Sequence, residues 1–347
     1  MIAIPVSKNK ASSRDHSQKS SLDPLVALLA DDINAVNEMI LKRLSSSVPL
    51  IPELAGHLIW AGGKRIRPMM TLAGAKISGG SELAIGLATA VEFIHSATLL
   101  HDDVIDDSGL RRGCNTANAL WGNEASVLVG DFLFARAFEL MVEAGDISVL
   151  GELANASAQI TEAEIKQMTI AGKPDTKIED YFDVITGKTA VLFAAAANAG
   201  ARIAGAKECD IEIMHNYGLK LGLAFQIMDD AMDYSASSKA MGKNLGDDFH
   251  EQKVTLPVIL AWENGNAEDR LFWQRTIGDG NFENGDLIAA QAILDHNDAI
   301  NRSIAIATDF AKAANESLQS LSIKHRDQAT LIDALSSAAR FSAERQI

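Results

Sequence analysis

The sequence is poor in proline, aromatic residues and cysteine. Seven prolines occur in 347 residues, and after Pro68 just two, Pro174 and Pro257, interrupt the chain. Aromatic residues make up 5% of the sequence, and the strand-like alternation of β-branched or aromatic residues is hard to find. Cys114 and Cys209 show no CxxC spacing, so we expect no disulfide framework. The shortage of helix breakers and strand formers predicts a mainly helical protein.

Other absences exclude whole classes of function. The net charge of −15 argues against nucleic-acid binding, which needs a basic surface, and none of the eight histidines lies in a zinc pattern such as HExxH. No apolar run looks long and uncharged enough to span a bilayer. The best candidate, residues 190–206, is alanine-rich and contains Asn198 and Arg202, which predicts a buried helix. Without a secretory signal, we expect a cytoplasmic protein in a reducing compartment.

Long stretches rich in alanine and leucine predict long helices. We expect these at residues 81–107, 126–143, 150–170, 211–234 and 299–321. No shift in composition marks a boundary, so the sequence predicts a single all-α domain over residues 23–347. Residues 1–22 are rich in Lys, Ser, Gln and Asn and have few apolar side chains, so we expect a disordered tail rather than a transit peptide.

The most informative feature is a DDxxD pattern that occurs twice. Its aspartates are Asp102, Asp103 and Asp106 in the first cluster, and Asp229, Asp230 and Asp233 in the second. On a helix the first and last carboxylates of each cluster share one face and repel by about 0.2–0.5 kcal/mol per pair. Each cluster also follows an apolar helical run, which is not typical of a solvated acidic face. Oxygen-only ligands suit Mg²⁺, which binds a few carboxylates together with substrate phosphates.

Four segments of the sequence contain basic residues suited to binding phosphate. They are residues 62–68 (GGKRIRP), 111–113 (RRG), 187–189 (GKT) and 242–253. Glycine allows close approach of the backbone, and arginine binds phosphate oxygens through two parallel hydrogen bonds. The GKT segment is not a nucleotide-binding P-loop, because Phe182 occupies the position where that loop needs its first glycine. Together with the aspartate clusters, these segments predict a pocket for two separately held diphosphates.

Five motifs, in this order and spacing, resemble the all-trans isoprenyl diphosphate synthases. They are GGKRIRP, HDDVIDDSGLRRG, GKT, FQIMDDAMD and GKNLGDD. The resemblance runs from about Leu25 to the C-terminus, and the long-chain octaprenyl to decaprenyl synthases of quinone biosynthesis are the nearest. It implies a homodimer of large helical bundles of the isoprenoid synthase type, each around a deep central cavity. The implied reaction adds isopentenyl diphosphate repeatedly to an allylic diphosphate primer, giving about forty to fifty carbons, with the ubiquinone side chain as the expected use.

The resemblance also implies roles for individual residues. Two or three Mg²⁺ ions, replaceable by Mn²⁺, would be bound by Asp102, Asp106 and Asp229. The other three aspartates of the clusters, Asp103, Asp230 and Asp233, would assist them. The allylic diphosphate would be bound by Arg111, Lys188 and Lys243. Isopentenyl diphosphate would be bound by Lys64, Arg67, Arg112 and His95, the last of which lies two helical turns before Asp102 on the same face. Thr189 and Gln226 would stabilise a carbocation through their oxygen dipoles.

Product length is predicted from the helix that precedes the first cluster. Ala97 and Thr98 lie five and four residues before Asp102, and Ile94 lies one turn deeper. By resemblance, short-chain synthases carry an aromatic ring at one of the first two positions, so the small side chains here predict a long product. Three alternatives remain: a shorter-chain farnesyl or geranylgeranyl diphosphate synthase, a terpene cyclase and a non-catalytic partner subunit. GGKRIRP counts against a cyclase, and the intact aspartates count against a non-catalytic subunit.

Overall fold

The protein was described from a computed structural model that covers residues 21–60, 62–111, 113–235, 246–322 and 325–344. Almost all regular structure in these residues is helical. The α-helices are α1 (Asp23–Leu28), α2 (Ala30–Arg43), α3 (Leu50–Trp60), α4 (Ile66–Ile77), α5 (Leu83–Ile105), α6 (Ala117–Trp121), α7 (Asn123–Glu143), α8 (Ile147–Ile170), α9 (Ile178–Ile185), α10 (Val191–Ile203), α11 (Glu208–Asp233), α12 (Asp247–His250), α13 (Leu256–Asn264), α14 (Ala267–Trp273), α15 (Asp286–His296), α16 (Ala299–Leu318) and α17 (Arg326–Ala343).

Three short elements complete the described structure. Two π-helical turns, Thr186–Ala190 and Gln274–Gly278, continue α9 and α14. Strands β1 (Leu110–Arg111) and β2 (Cys114–Asn115) form a small antiparallel hairpin. The predicted all-α class is confirmed. The hairpin was not predicted, because the sequence shows no alternating pattern there. The division into a tail and one domain stays a prediction, because residues 1–20 lie outside the described part of the chain.

Helix α10 lies at the centre of the fold and packs against α4, α8 and α11. Its residues from Val191 to Ala201 are all buried, so the buried helix predicted at residues 190–206 is confirmed over most of that range, although α10 ends at Ile203 and Gly205 is exposed. The helices approach closely because the facing side chains are small. A Cβ added to Gly200 would overlap the carbonyl oxygen of Thr71, and one added to Gly74 would lie 2.5 Å from the carbonyl oxygen of Ala197. Substitution at either glycine would therefore push two backbones apart.

Two of the longest helices flank this centre and end at the same side of the bundle. Helix α5 packs against α4 and α7, and α11 packs against α10 and α16. The predicted helices at 81–107 and 211–234 correspond to α5 and α11, with boundaries that differ by a few residues. The C-terminal ends of both helices carry the DDxxD clusters. The bundle therefore brings together two motifs that lie far apart in sequence.

Two helical segments are long and apolar enough to cross a membrane by length and composition. They are Leu83–Ile105 and Ile178–Ile203, and 67% and 89% of their most apolar windows are buried inside the fold. The expectation that no run would pass this test was therefore too strict. The second segment consists of α9, a π-turn and α10. Its apolar side chains pack inside the fold around the central helix.

Candidate active site

The ends of α5 and α11 open onto one cavity of about 460 Å³. Acidic side chains on its wall are Asp102, Asp106, Asp229, Asp230, Asp233, Asp247, Asp248 and Glu251. Basic side chains on its wall are Arg67, Arg111, Lys188 and Lys253, and His95 lies with them. The structure thus brings most of the predicted site residues to one place. The remaining wall includes Thr98, Leu99, Thr189, Phe225 and Gln226.

Both clusters occupy the last turn of a helix, where carboxylates are electrostatically disfavoured. The carbonyl end of a helix carries a partial negative charge, and cations there stabilise while anions destabilise. Neither α5 nor α11, all of whose residues are described, has a basic residue in its last turn. The positive charge that offsets these carboxylates must therefore come from other elements or from a bound cation.

In the first cluster, two of the three aspartates are paired with basic side chains. Asp103 is 1% exposed, and its Oδ1 accepts hydrogen bonds from Nε and Nη2 of Arg111 at 2.8 and 2.7 Å. Asp106 accepts a hydrogen bond from Nζ of Lys253 at 3.0 Å. The hairpin places Arg111 here, because β1 follows the end of α5 after a short turn. Asp103 therefore orients a cation on the cavity wall rather than facing the cavity itself.

In the second cluster, the middle aspartate is held by neutral donors. The hydroxyl of Tyr181 donates to Oδ2 of Asp230 at 2.6 Å, and the amide of Gln226 donates to Oδ1 at 2.7 Å. Oδ2 of Asp233 accepts the backbone N–H of Asp248 at 3.0 Å. Asp230 therefore has neutral partners at both of its oxygens, whereas Asp103 is paired with a guanidinium.

Burial and crowded charge shift the protonation of these groups. Burial raises the pKa of Asp102 to about 7, with Lys188 and Arg111 opposing the shift and nearby carboxylates adding to it. Burial also raises the pKa of Asp230 to about 8, with Asp248 and Asp229 adding to it. Burial alone would lower the pKa of Lys253, but the surrounding carboxylates outweigh it and raise that pKa. The shifts of Asp102 and Asp230 thus report mainly burial, whereas the shift of Lys253 reports the carboxylates around it.

Lys188 and Thr189 reach the cavity from the π-helical turn that joins α9 to α10. Nζ of Lys188 lies 2.5 Å from Oε1 of Glu164 and donates to Oε1 of Gln167 at 2.8 Å. Gly187 makes this turn possible, because a Cβ there would lie 2.6 Å from the Cβ of Ala163 on α8. The glycine of the GKT segment thus serves helix packing, whereas the lysine and threonine face the cavity.

The GGKRIRP segment divides its three cations between different surroundings. Nη1 of Arg67 lies 3.1 Å from Nε2 of His95, and both side chains line the cavity. Arg65 has a left-handed backbone (φ 50°) and pairs with the buried Glu92 at 2.5 Å. Lys64 is exposed, and its Nζ lies 4.5 Å from the centre of the Phe341 ring on α17. Lys64 is therefore set apart from the cavity wall, next to the C-terminal helix.

The three predicted chain-length residues occupy two environments. Thr98 lines the cavity, and its hydroxyl donates to the carbonyl oxygen of His95 at 2.8 Å. Ala97 and Ile94 are fully buried in the hydrophobic core. The position that faces the cavity is therefore Thr98, with Leu99 beside it, while Ala97 packs between helices.

Some predicted residues lie outside the described part of the chain, and some contacts were not predicted. Arg112 and Lys243 are among the residues that the structure does not describe. The partners Tyr181, Glu164 and Glu92 were missed, because their sequence positions carry no motif and their contacts span 24 to 49 residues. The apolar periodicity around Tyr181 predicts a helix but does not reveal that the hydroxyl reaches Asp230.

The described residues contain no group of three or more His, Cys, Asp or Glu side chains placed to bind a metal ion by themselves. Magnesium usually takes one or two carboxylates and completes its shell with water and substrate phosphates. The donors that face the cavity are carboxylate oxygens, which Mg²⁺ prefers. The donor set therefore fits a divalent cation held jointly by the protein and a diphosphate.

Comparison with known proteins gives consistent matches. Residues 48–294 match the family described as polyprenyl synthetase. The octaprenyl diphosphate synthase of Haemophilus influenzae is 45% identical over 262 residues, which cover 75% of this chain and 79% of that enzyme. The crystal structure of a polyprenyl synthase from Caulobacter crescentus, complexed with calcium and isoprenyl diphosphate, is 44% identical with a TM-score of 0.91, covering 96% of this chain and 100% of that one. A decaprenyl diphosphate synthase from Rhodobacter capsulatus is 46% identical with a TM-score of 0.89, covering 94% of this chain and 99% of that one.

Proposed function

Because the chain belongs to the polyprenyl synthetase family, we propose that it is a trans-prenyltransferase that makes a long-chain all-trans polyprenyl diphosphate. It would add isopentenyl diphosphate repeatedly to an allylic diphosphate until the product has about forty to fifty carbons. The observation that carries this proposal is the single cavity on which both intact aspartate clusters meet four cationic side chains. The octaprenyl and decaprenyl names of similar enzymes support a long product, for which the ubiquinone side chain is the expected use.

A divalent cation is the proposed cofactor. Asp102, Asp106 and Asp229 would bind two or three Mg²⁺ ions from opposite sides of the cavity, and Mn²⁺ could replace them. The calcium in the Caulobacter enzyme supports a site for divalent ions. When bound, such ions stabilise the negative charge that develops on a departing diphosphate.

The remaining steps follow from the protein's own side chains. Arg111 and Lys188 would hold the allylic diphosphate, so that its carbon–oxygen bond breaks and the diphosphate leaves with the electron pair. Arg67 and His95 would hold isopentenyl diphosphate, whose double bond attacks the allylic cation. Loss of one proton then restores a double bond and leaves a chain five carbons longer.

Thr189 and Gln226 would stabilise the cation between these steps. Thr189 is 5% exposed, and both side chains lie on the cavity wall. A preorganised dipole in a site that excludes water stabilises developing charge more than the same dipole in water does. The nearby apolar wall of Leu99 and Phe225 would accept the growing prenyl chain.

Assembly as a homodimer is proposed from the surface of α7 and α8. Large apolar side chains are exposed there, including Leu128, Phe138 and Val142 on α7 and Ile165 and Met168 on α8. Exposed apolar patches mark interaction sites in soluble proteins, so we infer that these two helices contribute to the dimer interface. We expect a dimer mass by light scattering at micromolar concentration, and a shift toward monomer in a Leu128→Asp/Phe138→Asp variant. Cytoplasmic location belongs to the same proposal.

One assay separates the proposed function from its alternatives. The purified chain is incubated with radiolabelled isopentenyl diphosphate, farnesyl diphosphate and Mg²⁺, and the products are treated with phosphatase and separated by chain length. Linear polyprenols of about forty to fifty carbons are expected. Alcohols of fifteen or twenty carbons would indicate a short-chain synthase, cyclic hydrocarbons a cyclase, and absence of turnover a non-catalytic subunit.

A further inference from the structure

Four polar side chains form a continuous hydrogen-bonded row along the cavity wall. Tyr181 donates to Asp230, Gln226 donates to the other oxygen of Asp230, and Thr189 donates to Oε1 of Gln226 at 2.8 Å. Tyr181, Thr189 and Asp230 are 2%, 5% and 5% exposed. The row joins α9, the π-turn and α11, which are otherwise linked by apolar packing.

The geometry gives each hydrogen bond a direction. The NH₂ group of Gln226 donates to Oδ1 of Asp230, and the oxygen of the same amide accepts the hydroxyl of Thr189. A threonine hydroxyl has a single proton, and here that proton is given to Gln226. The oxygen of Thr189 therefore offers lone pairs, and no proton, to the cavity.

We propose that Tyr181 is a positioning residue for the reaction, which holds Asp230 so that Gln226 and Thr189 present electron-rich oxygens to the allylic cation. The inference rests on the proposed function, because only a cationic intermediate benefits from an obligate acceptor at Thr189. Without the phenol hydroxyl, Asp230 is free to turn away from Gln226. The amide could then reverse and let the Thr189 hydroxyl direct its proton into the cavity, which disfavours a cation.

A matched pair of tyrosine variants tests this inference. Tyr181→Phe removes the donor to Asp230 and keeps the ring, which packs edge-on against Phe182 with ring centroids 5.6 Å apart. Tyr217→Phe removes an equally buried hydroxyl, which donates to the carbonyl oxygen of Leu335 on α17 at 2.8 Å, and Tyr217 does not line the cavity. Both variants are expected to lose similar thermal stability, which makes Tyr217→Phe the control for a purely structural effect.

Single-condensation kinetics give the decisive readout. Tyr181→Phe should lower kcat roughly ten- to a hundredfold with both KM values within about threefold of wild type, because the lost interaction acts only in the transition state. Tyr217→Phe should leave kcat and both KM values unchanged. An unchanged kcat in Tyr181→Phe, or an equal loss in both variants, overturns the inference.

A double-mutant cycle with Thr189→Val shows whether Tyr181 acts through Thr189. If it does, adding Tyr181→Phe to Thr189→Val should cost less than about threefold in kcat, because residues of one network are not additive. Full additivity would mean that Tyr181 acts by another route and would overturn the inference. The wild-type chain is measured alongside: if it made no prenyl product, the proposed function itself would fail, which is a different outcome from an active enzyme that ignores Tyr181→Phe.

Discussion

The two aspartate clusters share one sequence pattern and one location in the fold, but their neighbours differ. Each ends a long helix, α5 or α11, and each reaches the same cavity. In the first cluster Asp103 pairs with Arg111, and Asp106 pairs with Lys253. In the second cluster Asp230 accepts from a phenol and a carboxamide, and Asp233 accepts from a backbone N–H. The middle aspartate of the motif therefore has a guanidinium partner in the first cluster and neutral partners in the second.

This difference shows that the two halves of the site need not do the same work. An ion pair cancels most of the charge of a carboxylate, whereas a hydrogen bond from a neutral donor leaves the charge in place. The first cluster thus has built-in cations that can also grip a diphosphate. In the second cluster the middle aspartate, Asp230, instead orients the neutral side chain of Gln226.

The largest effect on kcat is expected from the first aspartate of each cluster, where the two clusters should behave alike. Asp102→Ala and Asp229→Ala each remove a carboxylate that lines the cavity. Each should lower kcat by about a thousandfold or more. Steady-state kinetics after EDTA treatment and restoration of Mg²⁺ measure this. Near-normal turnover by either variant would refute the assignment of that aspartate to the metal.

Substitution of the middle aspartates, Asp103 and Asp230, should affect different kinetic constants in the two clusters. Asp103→Asn loses its ion pair with Arg111 and should raise the KM of the allylic diphosphate roughly tenfold. Asp230→Asn should instead lower kcat roughly ten- to a hundredfold with little change in either KM, because its partners face the cation. Identical kinetic signatures for the two variants would show that the different neighbours have no functional consequence.

The basic residues should divide between the two diphosphates. Lys188→Ala should raise the KM of the allylic diphosphate about tenfold, and Arg67→Ala should do the same for isopentenyl diphosphate. Lys64→Ala should act in the same direction as Arg67→Ala but more weakly, since Lys64 is exposed beside Phe341. Initial rates with each substrate varied in turn measure this, and equal rises of both KM values in every variant would contradict the division.

The smallest effect on rate should come from substitutions in and next to the apolar part of the cavity wall. On the α11 side the wall already has an aromatic ring, Phe225, whereas the α5 side has Thr98 and Leu99. Thr98→Phe places a ring directly in the cavity and should shorten the product to fifteen or twenty carbons, with primer turnover largely retained. Ala97→Phe should shorten it too, but at a cost of roughly 1–3 kcal/mol in stability, because Ala97 lies in a packed core.

Chromatography of the dephosphorylated products, together with thermal melting, distinguishes these two variants. Val129→Leu on α7 serves as a matched control, since it also adds bulk to a buried position away from the cavity. If both phenylalanine variants still made the full-length chain, the cavity below Thr98 would not be the route of the growing product.

The sequence predicted what depends on local pattern and composition. Long helices without proline, the apolar character of α10 and the i, i+4 placement of the aspartates all follow from spacing along one segment. It could not predict which of neighbouring side chains turns toward the cavity. Arg65, for example, has a left-handed backbone and pairs with Glu92, which leaves the cavity to Arg67.

Contacts between distant segments were also beyond the sequence. Lys253 reaches Asp106 across 147 residues, and Tyr181 reaches Asp230 across 49. Such pairs depend on how α9, α11 and the loop after α12 pack together, and no periodic signal encodes that packing. The choice of Thr98 over Ala97 as the cavity-facing position has the same origin, because it depends on how α5 is rotated against its neighbours.

The π-helical turn at Thr186–Ala190 has a consequence for insertions and deletions in related genes. A π-turn holds one more residue than the α-turn it replaces, and such turns often mark functional sites. Loss of a single codon here would let α9 run into α10 as one regular helix. Because the π-turn already absorbs its extra residue, the helices on either side would keep nearly the same relative rotation. The side chains inside the turn would move instead, and Lys188 and Thr189 could not both keep their places on the cavity wall. We therefore expect a one-residue deletion in this segment to preserve the fold but to abolish activity.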